Sequence, residues 1–113
     1  MSVAIATPVT IMSQAAATGA GTIYGRGPAI KTFQIVGATS SGAGGATVKI
    51  QGSNDKSTWV DLGTVTLTLA TTASADGFVV DAPWVFSRAN VTAISGTGAY
   101  ASVFMGAVGG YGA

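Results

Sequence analysis

From residue 64 to 69 the chain reads Thr-Val-Thr-Leu-Thr-Leu, three threonines alternating with three apolar side chains. A period of two predicts a half-buried strand with Val65, Leu67 and Leu69 turned inward. Residues 46–52 alternate in the same way, with Val48 and Ile50 on one face and Thr47, Lys49 and Gln51 on the other. Residues 29–36 alternate less cleanly: Ile30, Phe33, Ile35 and Val36 fall out of phase near Thr32–Phe33, where a bulge would restore the register. Further strands are expected over 9–12, 78–80, 84–94 and 99–108, and Trp59-Val60-Asp61-Leu62-Gly63 leads into residues 64–69. Helical periodicity is nearly absent, as the density of Gly and β-branched residues requires.

Turn signals separate these segments. Residues 37–45, Gly-Ala-Thr-Ser-Ser-Gly-Ala-Gly-Gly, read as a flexible connection, and 53–58 as a tight loop in which Asn54 and Asp55 bond their own backbone. A Thr/Ala/Ser loop covers 70–75, and Asp81-Ala82-Pro83 turns the chain. Ser95-Gly96-Thr97-Gly98 reads as a hairpin turn that brings 99–108 back antiparallel to 84–94. About seven or eight short strands between turns predict an all-β protein, an antiparallel β-sandwich or jelly roll. Residues 1–21 form an extended amino-terminal arm, 22–108 the sandwich and 109–113 a Gly-rich tail. A chain of 113 residues supports a single core of this kind.

Composition narrows the chemistry. Ala, Gly, Thr and Ser make up more than half of the chain, and charged residues only 8%, against roughly 25% in an ordinary soluble domain. Hydrophobic content of 48% and a mean hydropathy of +0.52 exclude a disordered chain. There is no Cys, His or Glu, so thiolate chemistry, an imidazole base and the usual transition-metal ligands are missing. The reading is therefore non-enzymatic and without a cofactor. Net charge +1 with no basic run argues against nucleic acid. No run of about 18 apolar residues argues for a membrane span. The first twenty residues lack the basic start of a signal peptide and are read as part of the mature protein.

Several short motifs have a plainer explanation. Ser53-Asn54-Asp55-Lys56 matches S-x-x-K, but that motif needs a helix to align its serine and lysine, and here it falls in a loop. Gly96-x-Gly98-x-x-Ala101 lies between strands, where no helix amino terminus can hold a pyrophosphate. Asn90-Val91-Thr92 is a glycosylation triplet inside a strand. Asp55 and Asp61 lack the spacing of a calcium loop and read as solvated carboxylates. Trp59, Trp84, Phe86 and Tyr100 read as core or subunit-interface aromatics, with a sugar-stacking platform as the alternative. Arg88 lies mid-strand and calls for a partner such as Asp61 or Asp81, or an interface. Pro8, Trp59, Trp84, Arg88 and Tyr100 are the candidate interface or structural residues.

Two stretches carry a resemblance. Val48-Lys49-Ile50-Gln51-Gly52-Ser53-Asn54-Asp55, followed by Trp59-Val60-Asp61-Leu62-Gly63, resembles a hairpin of several β-sandwich families, discoidin-like carbohydrate-binding domains among them. Asp76-Gly77-Phe78, Asp81-Ala82-Pro83-Trp84 and residues 88–98 are similar to small virion structural proteins of tailed bacteriophages. The second resemblance implies a virion component: a capsid decoration (cement) protein, or a neck or tail accessory. Sparse charge supports an assembly independently, since a free monomer usually has a surface roughly a quarter to a third charged. The expected partners are copies of the chain, as a homo-oligomer and specifically a trimer, and the major capsid protein or other virion proteins. A host-attachment module that binds carbohydrate is the remaining alternative.

Overall fold

The computed structural model describes residues 9–25, 30–81 and 84–107, which form two antiparallel sheets packed face to face. The strands are β1 (Val9–Ala15), β2 (Gly19–Ala20), β3 (Tyr24–Gly25), β4 (Ile30–Ala38), β5 (Ser41–Ser53), β6 (Val60–Leu69), β7 (Ser74–Asp81), β8 (Phe86–Thr97) and β9 (Tyr100–Ala107). The first sheet runs β1-β9-β4-β7 and the second β2-β8-β5-β6, with β3 also pairing with β8. Apart from β2–β3 and the β5–β6 hairpin, every successive strand changes sheet, which is the winding of a jelly roll.

Alternation builds the core. Phe33 and Ile35 of β4 and Val103 and Met105 of β9 face Val48 and Ile50 of β5, Val65, Leu67 and Leu69 of β6, and Ala89 and Val91 of β8. Thr64, Thr66 and Thr68 stay on the solvent side of β6, as the T-V-T-L-T-L pattern predicts. Within the 1–21 segment, β1 pairs antiparallel with β9 and buries Ile11. Pro8, the Ala82-Pro83 turn and the 109–113 tail lie outside the described residues.

Three local expectations are corrected. β4 has no bulge: its register with β7 and β9 is unbroken, so Phe33 and Ile35 point inward while Thr32 and Gln34 point outward. Residues 37–45 are mostly strand, since β4 continues to Ala38 and β5 begins at Ser41. Thr39 and Ser40 cross between the sheets there, their amides donating to the Ala70 and Thr97 carbonyls at 2.9 and 3.0 Å. Finally, β8 and β9 are not a hairpin. β8 is already flanked by β5 on one side and by β2 and β3 on the other, so β9 crosses to the first sheet and pairs with β4 and β1. Gly96 and Gly98, at φ +118° and +61°, supply the left-handed backbone of that crossing.

Candidate functional site

The outward face of the second sheet, with the β5–β6 loop, gathers most of the described charged side chains. Gln51 on β5 stands opposite Asp61 on β6 and Arg88 on β8, so register alone places the three in one row across the strands. Lys49, two residues earlier on β5, shares their face. The Gln51 amide nitrogen donates to Asp61 Oδ1 at 2.8 Å, and the Gln51 carbonyl oxygen accepts from Arg88 Nε at 2.9 Å. Lys49 Nζ donates to Asp61 Oδ2 at 3.0 Å. Gln51 and Lys49 together hold the Asp61 carboxyl below the usual carboxylate range. Among the described side chains the partner of Arg88 is Gln51, and Asp61 is one residue further along the chain of bonds. The Asp81 side chain lies outside the described residues.

The loop between β5 and β6 brings an aromatic onto this row. The fully buried Ser53 hydroxyl accepts the Asp55 and Lys56 amides and donates to Asp55 Oδ1. Asp55 Oδ1 in turn accepts the Ser57 and Thr58 amides, both at 2.8 Å. Lys56 takes φ +62°, the left-handed turn that reverses the chain. Asn54 Oδ1 accepts the Val85 amide, and Lys56 Nζ sits 4.7 Å above the Phe86 ring, so the loop is tied to the start of β8. Trp59 follows and lies against the Arg88 guanidinium, 4.2 Å from its ring centroid.

These loop bonds predict a titration. The amides of Thr58 and Ser57 and the Ser53 hydroxyl lower the Asp55 carboxyl to about 2. Because the folded carboxyl titrates below its unfolded value of about 3.9, the loop is fully held above that value and loosens as the pH falls through about 2. NMR titration of Asp55 should show a midpoint near 2. Asp55→Ala should speed amide exchange at Ser57 and Thr58 while leaving the centre of β5 protected. An ordinary midpoint near 4 would remove the argument.

Other sequence candidates are dispersed. Trp59, Trp84, Phe86 and Tyr100 are all half-buried, outside the buried core whose large aromatic is Phe33. Trp59 and Phe86 share the second sheet's outer face through Arg88 and Lys56. Trp84 instead packs onto Gly52, whose missing Cβ would fall 2.6 Å from Trp84 Cγ. Tyr100 pairs with Ala38 near the beginning of β5, at the opposite end of the sandwich from Trp59. In the S-x-x-K stretch, Ser53 bonds loop amides and Asp55 while Lys56 covers Phe86, which is turn chemistry. Asp55 and Asp61 serve separate networks. The residue that sequence reasoning missed is Gln51. Its position beside Lys49 was visible, but its two partners depend on cross-strand register.

The outer face of the first sheet differs. Thr32, Gln34 and Val36 of β4 align with Val79, Gly77 and Ala75 of β7 and with Gly106, Phe104 and Ser102 of β9. Among the described residues this patch has no charged side chain. An open hollow lies over Gly77 between Thr32, Gln34, Ala75 and Val79, with Asp76 at its border. Val79 is 63% exposed.

Comparison with known proteins agrees with this architecture. No protein family and no curated protein matches the chain in sequence. In structure it is similar to the SPBc2 prophage-derived protein YomS, with TM-score 0.64, 15% identity and coverage of 96% of both chains. It is also similar to the PBSX exported protein XepA, with TM-score 0.54, 14% identity and coverage of 93% of this chain but 37% of XepA. A CBM4 structure overlays at TM-score 0.49 and 14% identity, covering 91% of this chain and 68% of that one. At such identities the first two likenesses define the fold, an all-β sandwich.

Proposed function

We propose that this chain is a non-enzymatic structural component of a bacteriophage particle, and more narrowly a capsid decoration protein of the virion. It contacts copies of itself, as a trimer, and the major capsid protein. The observation that carries this reading is the division of charge between the two faces. Of the described charged side chains, all but Asp76 lie on the outer face of the second sheet or in its β5–β6 loop, while the first sheet presents a neutral Thr/Gln/Val surface. Apart from Gln34 and Phe104 this face is built of Gly, Ala, Ser, Thr and Val, which lose little side-chain entropy when another subunit covers them.

The edge of that face is also open. β7 pairs with β4 through all 8 of its residues without a bulge, and carries no Lys or Pro. Asp76, its described charge, turns back to accept the Gly77 amide at 2.8 Å. The other edges are less inviting to a partner strand: β1 and β6 contain register shifts, and β2 and β3 have 2 residues each. Natural sheets usually block a long regular edge unless something pairs with it or covers it. The fold likeness to a prophage-derived protein supports the same assignment.

The test uses purified protein and capsids stripped of decoration. Light scattering should report a homo-oligomer, and the protein should cosediment with the capsids. Val79→Lys, at an exposed position, should leave the fold intact and weaken both associations by at least tenfold. A monomer that fails to bind capsids would overturn the proposal, and immunogold label confined to the portal end would move the protein to the neck.

A further inference from the structure

The second sheet's outer face has a different set of properties, and we infer that it holds a carbohydrate subsite, in which Trp59 stacks on a neutral pyranose while Asp61, Lys49 and Asn90 bond its hydroxyls. The first ground is the aromatic. Trp59 is backed by a guanidinium and half-buried, so part of its indole stays in solvent. Its N–H has no hydrogen-bond partner among the described residues. An indole with a cation over its ring and part of its surface wet is a platform for the C–H face of a sugar ring.

The second ground is the donor and acceptor set. A sugar hydroxyl both donates and accepts, so vicinal hydroxyls are best matched by a donor beside an acceptor. Lys49 Nζ and Asp61 Oδ2, 3.0 Å apart, are such a pair. Asn90 stands opposite Lys49 on β8, and its half-buried side chain has no hydrogen-bond partner among the described residues. It adds an amide that can do both.

Charge selects between ligand classes. Lys49 is neutralised by Asp61, and Arg88 is covered on one face by Trp59 and bonded through Nε to Gln51. The row therefore lacks the concentrated positive field that a phosphate or nucleic-acid backbone demands. It retains directional hydrogen bonding suited to an uncharged polyol. The row is also ordered before any ligand arrives, because Gln51 ties Arg88 to Asp61. Binding then incurs little further side-chain ordering. The site lies on the face opposite the neutral surface, so a subunit held by its first sheet would still present it outward.

The experiment screens the purified, full-length protein against an array of neutral and acidic oligosaccharides. The strongest neutral binder is then titrated while tryptophan emission is followed. Saturable binding with a change in emission is expected. Trp59→Ala should weaken it at least tenfold, Asp61→Asn and Asn90→Ala about three- to tenfold, and Trp84→Phe less than twofold. Trp59→Phe keeps a ring against Arg88 and should restore part of the affinity, which separates stacking from misfolding. No neutral glycan bound, binding of acidic glycans alone, or full affinity in Trp59→Ala would each overturn the inference. The outcome is independent of the particle assignment: a protein that binds sugar but not capsids keeps this site and loses that role.

Discussion

Phe33→Ala is expected to destabilise the protein by about 3–5 kcal/mol. Phe33 is 1% exposed, on a strand of the first sheet with neighbours on both sides. Its ring meets that of Phe78 at 5.8 Å between centroids, tilted by 35°. The Phe78 ring lies so close over Gly63 of β6 that a Cβ there would fall 2.6 Å from it. Losing Phe33 therefore opens a cavity and also removes the support of the side chain that ties the first sheet to the second. Whole domains are stable by only about 5–15 kcal/mol, so the loss is roughly a fifth or more of the total. Urea unfolding measures it as a lower midpoint with unchanged slope. Phe104→Ala is the control: Phe104 is half-buried on the outer face of β9, and its loss should cost less than half as much. Equal losses would mean that the two aromatics share one environment.

Legibility followed the physics of each signal. β6 was readable because its inner residues, Val65, Leu67 and Leu69, alternate with exposed threonines, and a one-residue slip would bury the wrong set. β4 misled because apolar Ile30 and Val36 fall at the same alternate positions as Thr32 and Gln34, and Val36 lies half-buried on the outer face beside Ala75 and Ser102. An apolar residue on a neutral outer face disturbs the alternation without any bulge. The β8–β9 pairing misled for another reason. A short Gly-rich turn between two strands fits a hairpin and a sheet-to-sheet crossing equally well, and the choice depends on whether β8 has a free edge. That is a property of the whole topology.

The candidate site was legible residue by residue but not as a site. Trp59 and Arg88 stood out as an aromatic and a mid-strand charge, 29 positions apart in sequence numbering. They meet because the loop bonds of Ser53 and Asp55 fold residues 54–59 back over the sheet. Gln51 links them to Asp61 through a register that no local pattern specifies. The scarcity of charge also takes on a direction once mapped. The charged side chains that the structure describes are concentrated on one face, with Asp76 alone among them on the other sheet.

Gly44→Val tests the glycines that looked most like a flexible linker, and it is expected to destabilise the protein by about 1–3 kcal/mol or disrupt the end of β5 outright. A Cβ at Gly44 would run into the Ser95 carbonyl oxygen, with Gly96 Cα at 3.0 Å. Both obstacles are backbone, so no rotamer change relieves them. Gly96 is equally confined from its own side, where a Cβ would meet Thr39 Cγ2 at 2.9 Å and Gly44 Cα at 3.0 Å. The two Gly-rich stretches, far apart in sequence, are thus one close approach of main chains where β5 and β8 reach the crossings to β4 and β9. Glycine is needed there for the absence of a side chain, and at Gly96 also for its positive φ. Gly42→Ala separates space from backbone preference. Gly42 is at φ +70° with nothing within 4 Å of a Cβ, so its cost is conformational and should be smaller, about 1 kcal/mol. Hydrogen exchange should then show Gly44→Val exposing amides of β5 and β8 near residues 44–47 and 93–96, with Gly42→Ala leaving them protected. If Gly44→Val were as stable as the wild type, the strands would have room to separate, and the linker reading of residues 37–45 would return.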